Sequence, residues 1–209
     1  MRYTGNVRAK LSNGIMTQLL RTGTAGMVFI ALSGCAIDPE TRGQERVAQD
    51  PSAMMRIADA ADSFGDVEGA KAFYRRAADL QPNDVSASIG VARSLAKQGD
   101  LDQAIETLRS AKSRGASNTQ LNTILGRLLV AANHPTEAVA AFEDGLREDP
   151  NAVSLLIGRG VALDVTGRHK EAQDSYRQVL QSDPDNAAAQ KDLPLSLAVE
   201  KRQEKTPAR

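Results

Sequence analysis

Leucine recurs at Leu95, Leu129 and Leu163, with Ala61 in the same register one period earlier. Just upstream runs a second apolar row, Ile57, Val91 and Leu125, broken only at Arg159. Two apolar rows at this spacing form one face of a helix of period 3.6. Arg159 is expected to lay its carbon stem along that face and lift its charge to solvent. A second set of rows follows on the same grid: Ala70, Ala104, Ala138 and Ala172, then Tyr74, Leu108, Phe142 and Tyr176 one helical turn later. The pattern predicts four helix–turn–helix pairs, residues 51–84, 85–118, 119–152 and 153–186, with no insertion or deletion between copies. Each pair cannot bury its apolar face alone, so the expected architecture is an all-α solenoid, a right-handed superhelix with a concave face.

The residues between the apolar rows act as punctuation. Gly65, Gly99 and Gly167 share one slot, with Asn133 in the third copy. Here the first helix of a pair must end in a left-handed backbone conformation, which glycine takes freely and asparagine next most readily. Asp66 and Asp100 follow and are expected to cap the second helix, Asp100 with Gln103 as a capping box. Pro135 suits the first turn of its helix. Pro82, Pro150 and Pro184 stop the second helices, with Ala116 as the exception. Residues 187–199 repeat the start of a first helix and should cap the stack, kinked or shortened at Pro194. Residues 200–209 are charged and read as a disordered tail.

Composition narrows this picture. Aromatic residues make up 3% of the chain and tryptophan is absent, which suits closely packed helices better than a β-sandwich. The formal net charge is zero, so nothing argues for nucleic acid. Cys35 is the single cysteine and cannot form an intrachain disulfide. The N-terminal segment from Met1 to Arg21 is basic. The uncharged stretch from Thr22 to Gly34, with its apolar centre at Met27–Leu32, ends in Ser33, Gly34 and Cys35. This describes an export signal over residues 1–34, too short in its apolar part to span a bilayer. Met16 is an alternative start. Leu32-Ser33-Gly34-Cys35 resembles the bacterial lipobox, in which the cysteine thiol is lipidated and the chain is cut before it. The same residues also suit a plain secretory signal with an incidental cysteine, or an uncleaved apolar tail. The lipobox is preferred because the lone cysteine sits at the end of the apolar stretch. By the Gram-negative sorting pattern, Ala36 after the cysteine implies the outer membrane, on its periplasmic face. Residues 35–50 are polar and read as a tether reaching about 20 Å as a random coil.

The four copies resemble the tetratricopeptide repeat (TPR), with its small residue, Gly, Ala, aromatic, Ala and Pro at their usual offsets. Within it, the lipobox, the polar tether, the run from Gly158 to His169, Glu171-Ala172-Gln173 and Asn186-Ala-Ala-Ala-Gln190 are similar to the TadD-type lipoproteins of the tight-adherence (Flp) pilus system. That resemblance implies a protein-binding assembly factor of the outer membrane, with a secretin or another pilus component as partner. A general periplasmic TPR scaffold, or a pilotin-like lipoprotein of envelope assembly, is the alternative. The implied chain is not an enzyme and carries no cofactor beyond the lipid on Cys35.

In TPR stacks the first helices line the concave groove. The outward residues there are expected to be Met55, Asp59, Ile89, Arg93, Lys97, Thr123, Arg127, Ile157 and Asp164. Arg93 and Arg127 stand one repeat apart and are expected to form a two-step basic ladder, fit for an acidic peptide or a chain-end carboxylate. The same two arginines could equally be ordinary solvated positions paired with nearby acids. His134 and His169 fall in turns where a polar residue has no need of a catalytic role. Asp183-Pro184-Asp185 reads as a helix-ending turn, and no metal-spaced or phosphate-binding motif is present.

Overall fold

The computed structural model describes residues 49–205, which lie in the larger of the chain's two units, Ile37–Arg209. The signal, the lipobox with Cys35 and most of the tether lie outside the described residues. Nine helices and no strand are present among the described residues: α1 (Pro51–Ser63), α2 (Val67–Leu80), α3 (Val85–Lys97), α4 (Leu101–Ser113), α5 (Thr119–Ala131), α6 (Pro135–Glu148), α7 (Val153–Val165), α8 (His169–Ser182) and α9 (Ala187–Lys205). No helix among them is long and apolar enough to cross a membrane.

The slots on the repeat grid do what their chemistry dictates. Gly65, Gly99 and Gly167 have φ of 81°, 87° and 78°, and Asn133 takes φ of 62° in the same place. Asp66 caps α2 by accepting from the Gly69 amide at 2.9 Å. Asp100 sits at the corresponding cap of α4 but makes no side-chain capping bond, so the capping box expected with Gln103 does not form. Pro135 occupies the first turn of α6. The residues before Pro82, Pro150 and Pro184 leave the helical region, as a following proline requires. The second copy, which lacks that proline, ends α4 differently: Gly115 takes φ of 89° and Ala116 is buried. A left-handed glycine thus replaces proline as the stop.

Each helix packs on the next in sequence. In addition α1 touches α3, α3 touches α5, α5 touches α7 and α7 touches α9, whereas no two second helices meet among the described residues. A stack whose first helices are in contact and whose second helices are splayed must curve with the first helices inside. The concave face is therefore built from α1, α3, α5, α7 and α9.

The invariant alanines, Ala70, Ala104, Ala138 and Ala172, are all fully buried where paired helices cross. The aromatic slot lies between layers. Each of its side chains faces one position on its own first helix and one on the first helix of the next copy. For Phe142 both positions are glycine, Gly126 and Gly158, and a Cβ on either would lie inside 3.0 Å of the ring. Tyr74 meets Gly90 and Tyr176 meets Gly160 in the same way. Leu108 has side chains at both positions, Ala92 and Ile124. Arg159, the break in the apolar row, keeps its head group inside the stack, donating from Nε to Ser175 Oγ at 3.0 Å.

The C-terminal expectations are corrected. α9 runs unbroken to Lys205 through Pro194, so residues 200–205 are helix and not tail. A proline inside a helix costs about 3 kcal/mol. Contacts beyond it offset that cost: Ser196 is buried and donates to Asp164 at 2.6 Å, Glu200 accepts from Gln173 Nε2 at 2.7 Å, and Gln203 lies 3.1 Å from His169 Nε2. Pro194 itself is exposed.

The interlayer fit is open to a double-mutant cycle. Gly126→Ala should destabilise the fold by about 1–3 kcal/mol through overpacking against Phe142. In a Phe142→Leu background the same change should cost much less, giving a coupling of about 1 kcal/mol or more in urea denaturation. Additive effects would show that the ring and the glycine do not constrain each other.

Candidate functional site on the concave face

The residues expected to face outward fall into separate groups. Arg93 and Arg127 are exposed, and neither has an ion pair or hydrogen bond among the described residues. Thr123 and Ile157 are half-buried and line an open cleft. Thr123 Oγ1 donates to the Thr119 carbonyl at 2.7 Å and stands 3.4 Å from Ser154 Oγ. Thr123, Arg127 and Ile157 line this cleft across α5 and α7, and Arg93 is exposed one repeat earlier on α3.

The others are occupied or hidden. Ile89 is only 2% exposed and belongs to the core, which corrects its assignment as a contact residue. Met55 is half-buried against the apolar residues of α1 to α3. Lys97 pairs with Asp62 at 2.5 Å. Asp59 accepts from the Tyr74 hydroxyl at 2.6 Å. Asp164 takes the Tyr176 hydroxyl at 3.1 Å, the Ser196 hydroxyl at 2.6 Å and His169 Nδ1 at 2.8 Å. Its carboxylate is committed to holding α7, α8 and α9 together, so it too is corrected as a groove contact. His169, which reads in the sequence as an ordinary turn residue, is 7% exposed and sits at the first position of α8 under the last helix.

Both tyrosines illustrate the cost of that commitment. The Tyr74 phenol is held above its ordinary value of 10.0 chiefly by burial, with the bond to Asp59 and the charges of Asp59 and Asp62 adding to it. The charge of Arg93 pulls the other way. The Tyr176 phenol is raised by burial first, then by the charge and hydrogen bond of Asp164.

The cleft beside Arg127 has a volume of about 550 Å³. Its walls are Thr123, Arg127, Val130 and Ala131 of α5, and Val153, Ser154, Ile157, Gly158 and Val161 of α7. Asn186 and Ala188 close one end at the start of α9, and the Phe142 ring forms part of the floor. The ring is fully buried and packs closely against Gly158 beneath the cleft. Val130, Val161 and Gly158 are absent from the residues expected at the site, yet the grid contains them: Val161 shares its slot with Arg93 and Arg127, and Val130 shares its slot with Asp164. Among the described residues no cluster of three potential metal ligands occurs.

The arrangement suits binding: two guanidinium groups, unpaired among the described residues, lie near an apolar cleft. Known proteins agree with the fold. Tetratricopeptide-repeat family models match residues 63–128 and 125–187. The protein y4yS of Sinorhizobium fredii (strain NBRC 101917 / NGR234) is 35% identical over 97 residues, covering 46% of this chain and 53% of its own length. The general transcriptional corepressor ssn6 of Schizosaccharomyces pombe is 24% identical over 132 residues, 62% of this chain and 12% of its own. The chain thus spans about half the length of the first of these relatives and far less of the second. Among solved structures, YrrB, described as a TPR protein with an unusual peptide-binding site, superposes with a TM-score of 0.65 at 23% identity, over 80% of this chain and 87% of its own. MamA gives 0.65 at 19% identity, over 74% and 85%.

The tyrosine–aspartate pairs predict an alkaline limb. With both phenols raised in the folded chain, their stabilising contribution is intact below the unfolded value of 10.0 and is lost as pH climbs above it. Urea denaturation from pH 9 to 12 should show stability falling, and a Tyr74→Phe, Tyr176→Phe variant should fall less steeply. Parallel curves would mean that neither burial nor the paired carboxylates hold these phenols protonated in the folded chain.

Proposed function

The chain belongs to the tetratricopeptide-repeat family, and from that premise we propose that it is a lipid-anchored scaffold of the outer membrane that assists assembly of a tight-adherence pilus secretion system, with the secretin or another assembly component as partner. A TPR stack mediates protein–protein interaction. Its first helices present a groove, and here that groove carries two unpaired arginines and an open cleft. The observation that carries the finer reading is the coupling of that stack to Leu32-Ser33-Gly34-Cys35 through a short polar segment. A lipid on Cys35 would keep the groove within a tether's length of the membrane, where a secretin must be inserted. Burial of acyl chains at about 0.8 kcal/mol per methylene makes such an anchor durable. A TPR groove and a lipidated cysteine require no catalytic group, so the proposed role is binding and not catalysis.

Substitution of the anchor tests the proposal. Cys35→Ser should move the protein from the outer-membrane fraction to the soluble periplasm and reduce secretin multimers and piliation in the native host. A Cys35→Ser protein that stays in the outer membrane would remove the lipid anchor from the reading. A released protein that still supports full piliation would remove the pilus role.

A further inference from the structure

The groove changes character along its length. One slot on the grid carries Asp59, Arg93, Arg127 and Val161 on four successive first helices. The acid at the first step is bonded to Tyr74, the two cations in the middle are unpaired among the described residues, and the valine at the last step opens on the cleft. The nearby acid Asp62 is neutralised by Lys97. A ligand lying in the groove therefore meets positive charge first and aliphatic carbon next, from Val130, Ile157 and Val161 over the Phe142 ring.

We propose that this groove recognises an extended segment of a partner protein that carries two acidic side chains followed, along the groove, by one large apolar side chain. The carboxylates meet Arg93 and Arg127, and the apolar side chain fills the cleft. The proposal rests on the reading of the stack as a protein-binding scaffold and names the chemistry of what it holds. Two internal acids fit better than a chain-end carboxylate. Packed helices stand about 8–10 Å apart, so side chains rising straight from α3 and α5 meet two carboxylates at that spacing without bending toward one another. A chain in the polyproline II conformation advances about 3.1 Å per residue and returns to the same face every third residue, so acids at every third position span the gap. A further step of the same length brings a side chain over α7. The cleft's volume is ample for leucine or phenylalanine.

The test uses the full chain in detergent micelles and a fluorescent peptide, blocked at both ends, of sequence Gly-Glu-Ser-Gly-Glu-Ser-Gly-Leu-Ser-Gly, together with its reverse. One of the two orders should bind about tenfold or more tightly than a glycine–serine control. Replacing the peptide leucine by serine, or either glutamate by lysine, should remove that advantage. So should Arg127→Glu, Arg93→Glu and Val161→Glu, each checked for helicity by circular dichroism, with Arg127→Gln, Arg93→Gln and Val161→Ser as milder substitutes. Binding that survives loss of the leucine, or that is unchanged by the arginine variants, overturns the proposal. So does a glycine–serine peptide with a free carboxyl end that binds as well as the acidic one. A photo-crosslinking residue at position 123 in cells separates the two levels. A crosslinked partner that the peptide does not displace keeps the scaffold and overturns this ligand chemistry, and absence of both crosslink and peptide binding overturns the groove as well.

Discussion

The fit of one aromatic ring into the space left by two missing methyl groups sets the geometry on which the rest of this stack depends. Phe142 lies between Gly126 and Gly158, and neither helix could approach as closely if it carried a Cβ there. Each glycine costs its helix roughly 1 kcal/mol against alanine. Burial of a ring of this size contributes about 1.5–3 kcal/mol and ties three helices at once. The rule varies locally without breaking: Tyr74 and Tyr176 each use one glycine, and Leu108, slimmer than a ring, needs none. Ring size and the two facing positions are therefore a single variable, distributed along the sequence from Gly126 to Gly158.

That internal constraint shapes the groove. A buried phenol must give its proton to an acceptor, and the acceptor has to come from a first helix. Tyr74 uses Asp59 and Tyr176 uses Asp164, so acids at both ends of the groove are drawn into the fold. Phe142 has no hydroxyl and draws on none. The corresponding positions in its own first helix are Arg127 and Val130, one free and charged, the other apolar. Leu108, which stands to Arg93 as Phe142 stands to Arg127, has no hydroxyl either, so the middle of the groove combines cations unpaired among the described residues with an apolar cleft. The surface offered to a partner is in this sense a by-product of how the interior is satisfied.

The fold is legible in the sequence because each repeat restates the same local rules. Turn glycines, buried alanines and stopping prolines act over short spans, and four copies on a fixed period make them unmistakable. The site is legible only in part. Arg93, Thr123, Arg127 and Ile157 follow from the helical face alone, and they do lie on the concave side. Ile89 does not: it is packed into the core cluster, although Thr123 and Ile157 in the same slot are half-buried. Asp164 reads as a surface acid because its three partners lie 5, 12 and 32 residues away, on α8 and α9. Val161 escapes notice although the grid holds it, since a valine in a row of arginines reads as an interruption and not as a change of function.

The last helix shows how far tertiary contacts override local preference. A proline and a charged stretch both argue for an early stop, and both would be right for an isolated segment. What decides otherwise is the exposed end of the fourth repeat, where α8 presents His169 and Gln173 as buried polar groups that need partners. With the imidazole proton on Nδ1 directed at Asp164, Nε2 is left to accept from Gln203, and Gln173 donates to Glu200. Without residues 200–203 these groups would lose protein partners at an otherwise apolar boundary, a loss of about 1–3 kcal/mol for each one left unsatisfied. A terminal helix in a solenoid is usually thought of as a lid over apolar surface. Here Ala189 and Leu193 supply a modest apolar contact, and polar bonding beyond Pro194 does the remainder. The end of the stack is thus specified by hydrogen-bond matching, and that requires the particular residues of α9 where an apolar lid would accept any greasy face.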